Sequence, residues 1–348
     1  MHKHLKIVTL FLVAMIPGLC FGGSVKKKDK AVKPEAEIAR GVLTVLWRQP
    51  NDIASRDLFY GPGGKKDEPQ GPFTFIKEDL DGSNPKFTVR DREGVKWKVK
   101  LGAEAEPETV ASRLVWSVGY FASEEYFLNR LQVPDMPHLQ RRHAGRFIEP
   151  DGSMRNVRLK KEPEGEKKIG LWSWHSAPFS GTREFDGLRV MMALINNWDL
   201  KDENNAIYDQ KKRGDSVDKE RVYMVSDLGA SFGTAWLDRT HEKSKSNLEW
   251  YSRTKFITKT TADYVDFEDP RRPALVVLFN PHEYFSRVRL RWIGRHIPRE
   301  DAKWMGGILA QLSHRQILDA FRAAGYSPQA VEGFSGVLES RIATLNKL

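Results

Sequence analysis

Cysteine is almost absent from this chain of 348 residues, in which Cys20 is the only one. A chain with one cysteine forms no internal disulfide, so its stability must come from a packed core. Internal repeats and a sustained heptad pattern are also missing, so neither a repeat protein nor a coiled coil is indicated. The apolar run Ile7–Ile16 is too short to cross a bilayer as a helix.

The composition is that of an ordinary soluble globular protein, with 29% charged and 40% hydrophobic residues. The length suffices for one large domain or two lobes. Lysine and arginine number 56 against 46 acidic residues, and the excess is spread along the chain instead of forming one block. This excess of positive charge favours an anionic ligand or surface but does not identify it.

The start of the chain has the pattern of an export signal. Lys3 and Lys6 precede the apolar run, and small residues follow it up to Gly22. Leu19 stands where a lipoprotein signal has a small residue, so lipid anchoring at Cys20 is the less favoured alternative. We therefore expect residues 1–22 to be a signal peptide, and the mature protein to be periplasmic or extracellular. We expect no transmembrane segment after signal removal and no nucleic-acid partner.

The next part of the chain predicts a linker followed by a sheet. Residues 23–40 are polar and rich in lysine, which is typical of a disordered linker. Short runs rich in Phe and Val, separated by turn residues, predict a three-stranded antiparallel meander. These runs are Phe73–Glu78, Lys86–Arg90 and Val95–Leu101, and further strands are expected near Phe127–Val133 and Met154–Leu159.

The second half of the sequence has mostly helical periodicity. After one helix that begins near Pro107 and ends at Gly119, a second helix is predicted over Arg183–Asn197. Two short strands, Ala206–Tyr208 and Val222–Val225, should form a hairpin, and the chain from about Ile297 is helical. The predicted fold class is α+β in two lobes, a β-rich N-lobe over residues 41–168 and a mainly helical C-lobe over residues 169–348.

The strongest chemical signal lies directly after the second predicted helix. It reads Asp199-Leu200-Lys201-Asp202-Glu203-Asn204, and Asp227-Leu228-Gly229 follows the predicted hairpin. Phosphoryl transfer needs a carboxylate beside the acceptor hydroxyl and oxygen ligands for a divalent metal. Asp199 suits the first role, and Asn204 and Asp227 suit the second. A polar turn in which Asp and Asn are favoured for turn geometry would explain the first segment equally well.

This pattern resembles the protein-kinase-like superfamily, whose catalytic loop reads HRDLKxxN and whose metal loop reads DFG. The resemblance implies that Asp199 is the catalytic aspartate and Lys201 the loop lysine. It further implies that Asn204 and Asp227 hold Mg²⁺ or Mn²⁺ and that ATP is the phosphoryl donor. The implied fold is the two-lobed kinase fold.

The upstream half supplies further parts in the family's order. Lys100 ends the third predicted strand, and Glu108 lies early in the next helix, where the family has a lysine–glutamate pair that places the phosphates. The segment Gly82-Ser83-Asn84-Pro85-Lys86 lacks the G-x-G-x-x-G lid. It resembles the G-x-x-P-K segment of HipA-type kinases, a loop that covers the phosphates. The resemblance therefore implies that Lys86 contacts the nucleotide.

Several residues depart from the family pattern. Asn197 and Trp198 stand in place of His and Arg, Leu228 stands in place of Phe, and no A-P-E segment follows. These departures indicate an atypical, exported kinase, similar to the spore-coat and secretory-pathway kinases. The acceptor is left as an unidentified hydroxyl-bearing protein or small molecule.

Two alternatives stay open. An exported chain with a degenerate lid could be a kinase fold retained as a catalytically inactive binding protein. The segment Gly229-Ala230-Ser231-Phe232-Gly233 also fits the G-x-S-x-G elbow of serine hydrolases, with Ser231 as the nucleophile. The polar stretch that follows it is too short for the helix that such an elbow requires.

Overall fold

The computed structural model describes residues 42–81, 84–141, 144–162, 167–211, 219–235, 244–268, 274 and 276–348. The expected signal peptide and linker lie outside the described residues, so those predictions stay untested. Among the helices of the described part, none is long and apolar enough to cross a membrane.

The described chain begins mainly with strands and ends with helices. Its strands are β1 Leu43–Val45, β2 Thr74–Asp79, β3 Lys86–Arg90, β4 Lys96–Leu101, β5 Glu125–Leu131, β6 Met154–Lys161, β7 Lys167–Gly170, β8 Asn205–Lys211, β9 Lys219–Val225, β10 Ile257–Thr260, β11 Tyr264–Phe267 and β12 Ile297–Pro298. Its α-helices are α1 Ala105–Ser117, α2 Arg183–Leu194, α3 Leu248–Arg253, α4 Val276–Phe279, α5 Pro281–Arg289, α6 Arg299–Leu309, α7 His314–Arg322 and α8 Pro328–Asn346.

A five-stranded antiparallel sheet forms the first lobe, in the order β2-β3-β4-β6-β5. Strands β2 to β4 confirm the predicted meander. Because side chains alternate along a strand, Trp97, Val99 and Leu101 enter the core on one face of β4. Lys100 lies on the opposite face, directly across from Arg158 on β6. Helix α1 packs against β5 and β6 and covers this second face of the sheet.

The second lobe combines a smaller sheet with the larger apolar core. Its four strands are ordered β1-β9-β8-β7, and β1 runs parallel to β9. The antiparallel pair β8 and β9 confirms the predicted hairpin, with both strands longer than expected. The helical end of the chain confirms the mainly helical C-lobe, and the fold class is α+β. Since β1 joins this second sheet, the exact division of the lobes at residues 168 and 169 stays a prediction.

The short elements were not predicted. Strands β1, β7 and β12 contain few residues, so their side-chain alternation is too brief to recognise. Helix α2 ends at Leu194, before the predicted Asn197, because Asn196 adopts a left-handed conformation with φ of 54°. Asparagine tolerates that conformation better than most residues, and the turn directs the chain into the segment that carries Asp199.

Candidate active site

Lys100 is the centre of a buried cluster of charges. Its Nζ atom lies 2.8 Å from Glu108 Oε2, 2.9 Å from Glu104 Oε2 and 3.5 Å from Asp227 Oδ1. The Lys100 side chain is 7% exposed, whereas Lys96 and Lys98 on the same face of β4 are exposed. The structure thus distinguishes Lys100 from its neighbours, which strand alternation alone could not do.

The predicted lysine–glutamate pair is therefore present as a direct contact between β4 and α1. Glu108 is almost completely buried in the first turn of α1. Arg158 Nη2 lies 3.2 Å from the same Glu108 oxygen, and Arg158 Nη1 donates a hydrogen bond of 3.0 Å to Glu125. Cations and carboxylates thus alternate in the order Lys100, Glu108, Arg158 and Glu125, which is the arrangement that makes buried charge tolerable.

The environment shifts the protonation of the cluster. Burial alone would lower the pKa of Lys100, but Glu104, Glu108 and Asp227 outweigh that effect and raise the pKa above its ordinary value. Burial alone would raise the pKa of Glu104, but Lys100 and Lys245 hold that pKa well below its usual range. Lys100 and Glu104 are therefore both charged at neutral pH.

Glu104 also joins the start of α1 to the chain that follows Asp227-Leu228-Gly229. Lys245 forms a buried ion pair with Glu104, and the Ser246 hydroxyl donates a 3.3 Å hydrogen bond to Glu106. Gly229 in turn packs so closely against Glu104 that an added Cβ atom would lie 2.8 Å from Glu104 Cβ. The N-terminal turn of α1 is thus fixed to the residues on both sides of the segment 236–243, which lies outside the described part.

The segment that carries Asp199 is tied to the segment that carries Asp227. Asn204 Nδ2 donates a 2.6 Å hydrogen bond to the Asp199 carbonyl oxygen. The Asn204 carbonyl oxygen in turn accepts hydrogen bonds from the backbone N–H groups of Ser226 at 2.7 Å and Asp227 at 3.2 Å. The hairpin thus brings Asn204 next to Asp227, and the Asn204 side chain ties the backbone of Asp199 to the same place.

The Asp199 carboxylate faces two cations. Asp199 Oδ1 lies 3.2 Å from Arg287 Nη2 and 3.9 Å from Lys201 Nζ, and the Asp199 side chain is 27% exposed. Oδ1 itself is buried, and among the described residues no group donates a hydrogen bond to it. Buried oxygens in folded proteins are almost always hydrogen-bonded, so Oδ1 is an exception that is balanced only by the two nearby cations. The part of the Asp199 side chain that a ligand can reach is its exposed 27%.

The predicted metal ligands have suitable donor atoms. The Asn204 side chain uses its nitrogen on Asp199, which leaves its oxygen for a cation, and the Asp227 side chain is 43% exposed. Carboxylate and amide oxygens are the ligands that Mg²⁺ and Mn²⁺ accept. Glu104, Glu108 and Asp227 also approach one another within 4.8 Å, but the ammonium group of Lys100 contacts all three. That group of carboxylates is therefore a lysine site, and Asn204 with Asp227 is the better candidate for a metal.

Lys86 and Ser231 lie apart from these contacts. Lys86 is directly across from Lys100 in the sheet register, on the same face, but its ammonium pairs with Asp79 at 3.6 Å. Its role at the nucleotide stays a prediction. Ser231 is 0% exposed, and its hydroxyl donates a 2.8 Å hydrogen bond to the Leu228 carbonyl oxygen. A buried hydroxyl that donates to a carbonyl is not placed as the nucleophile of a hydrolase elbow.

Sequence reasoning missed several residues that the structure brings to the site. They belong to different segments and reach the cluster only through tertiary packing: Glu104, Arg158, Lys245 and Arg287. Alternation along β6 places Arg158 on the face of Lys100, so a correct pairing of β4 with β6 would have revealed it. The sequence carries no local signal for Lys245 or Arg287.

No protein-family model matches the sequence, and no curated protein matches it. Among solved structures, the chain is similar to a proinflammatory kinase, CtkA, of Helicobacter pylori, with 12% identity and a TM-score of 0.44 over 79% of this chain and 95% of that one. It is also similar to the Rio2 kinase of Chaetomium thermophilum, solved with ADP/Mg²⁺ and phosphoaspartate, with 8% identity and a TM-score of 0.30 over 78% of this chain and 72% of that one.

Both TM-scores lie below 0.5, so the fold is assigned from the chain's own topology and contacts. A sheet-rich lobe with one helix precedes a mainly helical lobe. The strand lysine, the helix glutamate and the aspartate after the hairpin meet in direct contact. The described chain therefore has a two-lobed α+β fold in which these three groups form one charged cluster.

Proposed function

We propose that this protein is an exported atypical kinase that transfers the γ-phosphoryl group of ATP to a hydroxyl acceptor. One observation carries the proposal: the Lys100 ammonium lies between Glu108 and Asp227, and Asp227 is tied through Asn204 to the backbone of Asp199. This joins the groups that would place the phosphates to the group that would orient the acceptor. Export is proposed from the signal-like start of the sequence alone.

On the donor side, the residues would act by positioning and by electrostatics. Lys100, held by Glu104 and Glu108, would place the nucleotide phosphates, because an ammonium fixed by carboxylates cannot swing away from them. Asn204 and Asp227 would hold Mg²⁺ or Mn²⁺, which when bound neutralises phosphate charge. Lys86 is proposed to contact the nucleotide from the strand beside Lys100.

On the acceptor side, Asp199 would orient a hydroxyl group. The acceptor O–H would donate to the partly exposed carboxylate of Asp199, which places the acceptor oxygen for attack on the γ-phosphorus. The new bond joins the acceptor oxygen to that phosphorus, the bond from phosphorus to the bridging oxygen breaks, and ADP leaves. The acceptor proton passes to Asp199 and then to solvent. Lys201, 3.9 Å from Asp199, would balance charge on this side.

The direct test is transfer of label from γ-³²P-ATP by the full chain without residues 1–22. Because the acceptor is unidentified, autophosphorylation, a generic protein acceptor and release of phosphate to water are measured in parallel, with Mg²⁺ or Mn²⁺. We expect transfer by the unmodified protein and a loss of about 10²- to 10⁴-fold in Asp199→Asn, the usual contribution of a general base.

The main competing function is that of a binding protein with a kinase fold. Such a protein would bind nucleotide without transferring phosphoryl to any acceptor. Nucleotide binding by the unmodified protein, measured by calorimetry, together with an absence of labelled products and of ADP would contradict the kinase proposal and favour this alternative.

A further inference from the structure

Arg287 reaches the proposed catalytic loop from a distant helix. It lies on α5, and its guanidinium makes three contacts with the two residues at the start of the loop. Nη1 donates a 2.7 Å hydrogen bond to the Trp198 carbonyl oxygen, Nη2 lies 3.2 Å from Asp199 Oδ1, and Cζ lies 4.7 Å from the centre of the Trp198 ring. The Arg287 side chain is only 12% exposed. A planar guanidinium can stack on a ring and donate at its edge in this way, whereas an ammonium cannot.

The other contacts around Asp199 act on its backbone. The Asn197 side chain accepts a 3.0 Å hydrogen bond from the Asp199 N–H group, and Asn204 donates to the Asp199 carbonyl oxygen. The carboxylate itself faces Lys201 at 3.9 Å, and the Lys201 side chain is 31% exposed. Without Arg287, the Asp199 backbone would keep these two hydrogen bonds, but the loop would lose the Arg287 hydrogen bond to the Trp198 carbonyl oxygen. The Asp199 side chain would lose its nearer and less exposed cation.

The residue that Arg287 stacks on is itself fixed. Trp198 Nε1 donates a 2.7 Å hydrogen bond to the Ser244 carbonyl oxygen, and the Trp198 N–H group donates to the Ala230 carbonyl oxygen at 3.2 Å. The Trp198 side chain is buried with Ala230 and Ala235. Arg287 thus rests on a rigid support, and the position of its guanidinium relative to Asp199 is set by the surrounding fold.

We propose that Arg287 is a positioning residue for Asp199, an inference that rests on the proposed kinase function. The guanidinium holds the carboxylate in one rotamer by charge attraction. The contact at 3.2 Å does not have hydrogen-bond geometry, since Oδ1 has no hydrogen-bond donor among the described residues. Arg287 therefore fixes the buried Oδ1 and leaves the exposed part of the carboxylate for the acceptor hydroxyl.

The test compares Arg287→Met and Arg287→Lys with the control Arg289→Met. Arg289 lies on the same helix but is exposed. Methionine keeps apolar contact with Trp198, and lysine keeps the charge without the forked donors. We expect kcat to fall roughly 10- to 100-fold in Arg287→Met, the range expected when a reacting group is displaced by about 1 Å, with KM for ATP unchanged. Arg287→Lys should be intermediate, and Arg289→Met should match the unmodified protein.

Chemical rescue separates positioning from a purely structural role. Added methylguanidinium should restore part of kcat in Arg287→Ala, because the small cation can bind beside Trp198 and Asp199, and it should not raise kcat in Arg289→Ala. A change in KM alone, an unchanged kcat, or a loss that neither lysine nor methylguanidinium restores would overturn the inference.

Hydrogen exchange gives a measurement that does not depend on activity. In Arg287→Met, amides of residues 196–204 should exchange faster than in the unmodified protein, while those of β4 and α1 should not change. Unchanged exchange in 196–204 would count against Arg287 even if the unmodified protein transfers no phosphoryl group. If the unmodified protein transfers no phosphoryl group, the proposed function is wrong. Whether Arg287 orders residues 196–204 is decided separately, by the difference in amide exchange between the unmodified protein and Arg287→Met.

Discussion

The two halves of the candidate site differ in how exposed their carboxylates are. Around Lys100, Glu104, Glu108 and Glu125 each contact a cation, and their side chains are at most 11% exposed. Asp199 also faces two cations, but its side chain is 27% exposed. The first half is thus closed by the fold, whereas the second keeps a carboxylate that a ligand can reach.

The two halves also depend on different parts of the architecture. The Lys100 cluster is built mainly from side chains on β4, on β6 and at the start of α1, so it contributes to how the first lobe is held together, and Lys245 ties it to the later chain. Asp199 is placed by hydrogen bonds between its backbone groups and the side chains of Asn197 and Asn204. Substitutions in the first half should therefore lower the free energy of unfolding, and substitutions in the second should change chemistry at nearly constant stability.

The largest expected effect on stability comes from Glu104→Gln. The variant removes a buried negative charge that lies between Lys100 and Lys245 and leaves both cations without it. Breaking one partner of a buried ion pair typically costs about 3–5 kcal/mol of the free energy of unfolding. Urea unfolding at pH 7 measures this loss.

The matched control for that variant is Glu249→Gln. Glu249 pairs with Arg253 at 2.7 Å, a distance like that in the cluster, but both side chains are more than half exposed. Glu249→Gln should lose less than about 0.5 kcal/mol of the free energy of unfolding, because solvent screens an exposed ion pair. Equal losses in the two variants would show that burial does not distinguish the Lys100 cluster.

The pH dependence of the free energy of unfolding should show that Glu104 is charged in the folded protein. Lys100 and Lys245 hold the pKa of Glu104 below its usual range, so the folded protein binds a proton there less readily than the unfolded chain does. The contribution of Glu104 is then fully present above its ordinary pKa of 4.5 and declines as the pH falls below that value. The stability difference between the unmodified protein and Glu104→Gln should therefore shrink between pH 5 and pH 3, as measured by urea titrations at fixed ionic strength. A difference that stays constant over that range would contradict the assignment.

A smaller effect than that of Glu104→Gln is expected from Ser231→Ala. The variant removes one buried hydrogen bond, to Leu228, and should cost about 1 kcal/mol. Phosphoryl transfer should be unchanged, and a fluorophosphonate probe should not label the unmodified protein, because the hydroxyl is buried. Labelling of Ser231 in stoichiometric amount would favour the hydrolase alternative.

The sequence was informative where local pattern and function coincide. Alternation and turn residues predicted the strands that carry Lys86 and Lys100, and helical periodicity after Pro107 predicted α1, which presents Glu108 to the sheet. Asn204 and Asp227 flank the predicted hairpin, whose two strands bring them together. In each case, neighbouring residues along the chain determine the geometry.

The remaining contacts could not be predicted because they depend on how distant segments pack. Lys245 meets Glu104 across 141 positions in sequence, and Arg287 meets Trp198 across 89. Nothing near Arg287 in sequence differs from an ordinary amphipathic helix with arginines on its surface. Only the folded chain shows that its guanidinium lies against Asp199.

The most direct test that the two halves have different roles is the change in Tm that nucleotide produces. A ligand present at a hundredfold excess over Kd stabilises the folded state by about 2.7 kcal/mol, which for a chain of this size raises Tm by roughly 5 °C. We predict such a rise with ATP and Mg²⁺ or Mn²⁺ for the unmodified protein. The rise should be retained in Asp199→Asn and mostly lost in Asp227→Asn, because Asp227 is proposed to hold the metal at the phosphates, whereas Asp199 is proposed to orient the acceptor. If a protein shown to be folded has no shift with any purine nucleotide and divalent metal, or if both variants lose the shift equally, the account is contradicted.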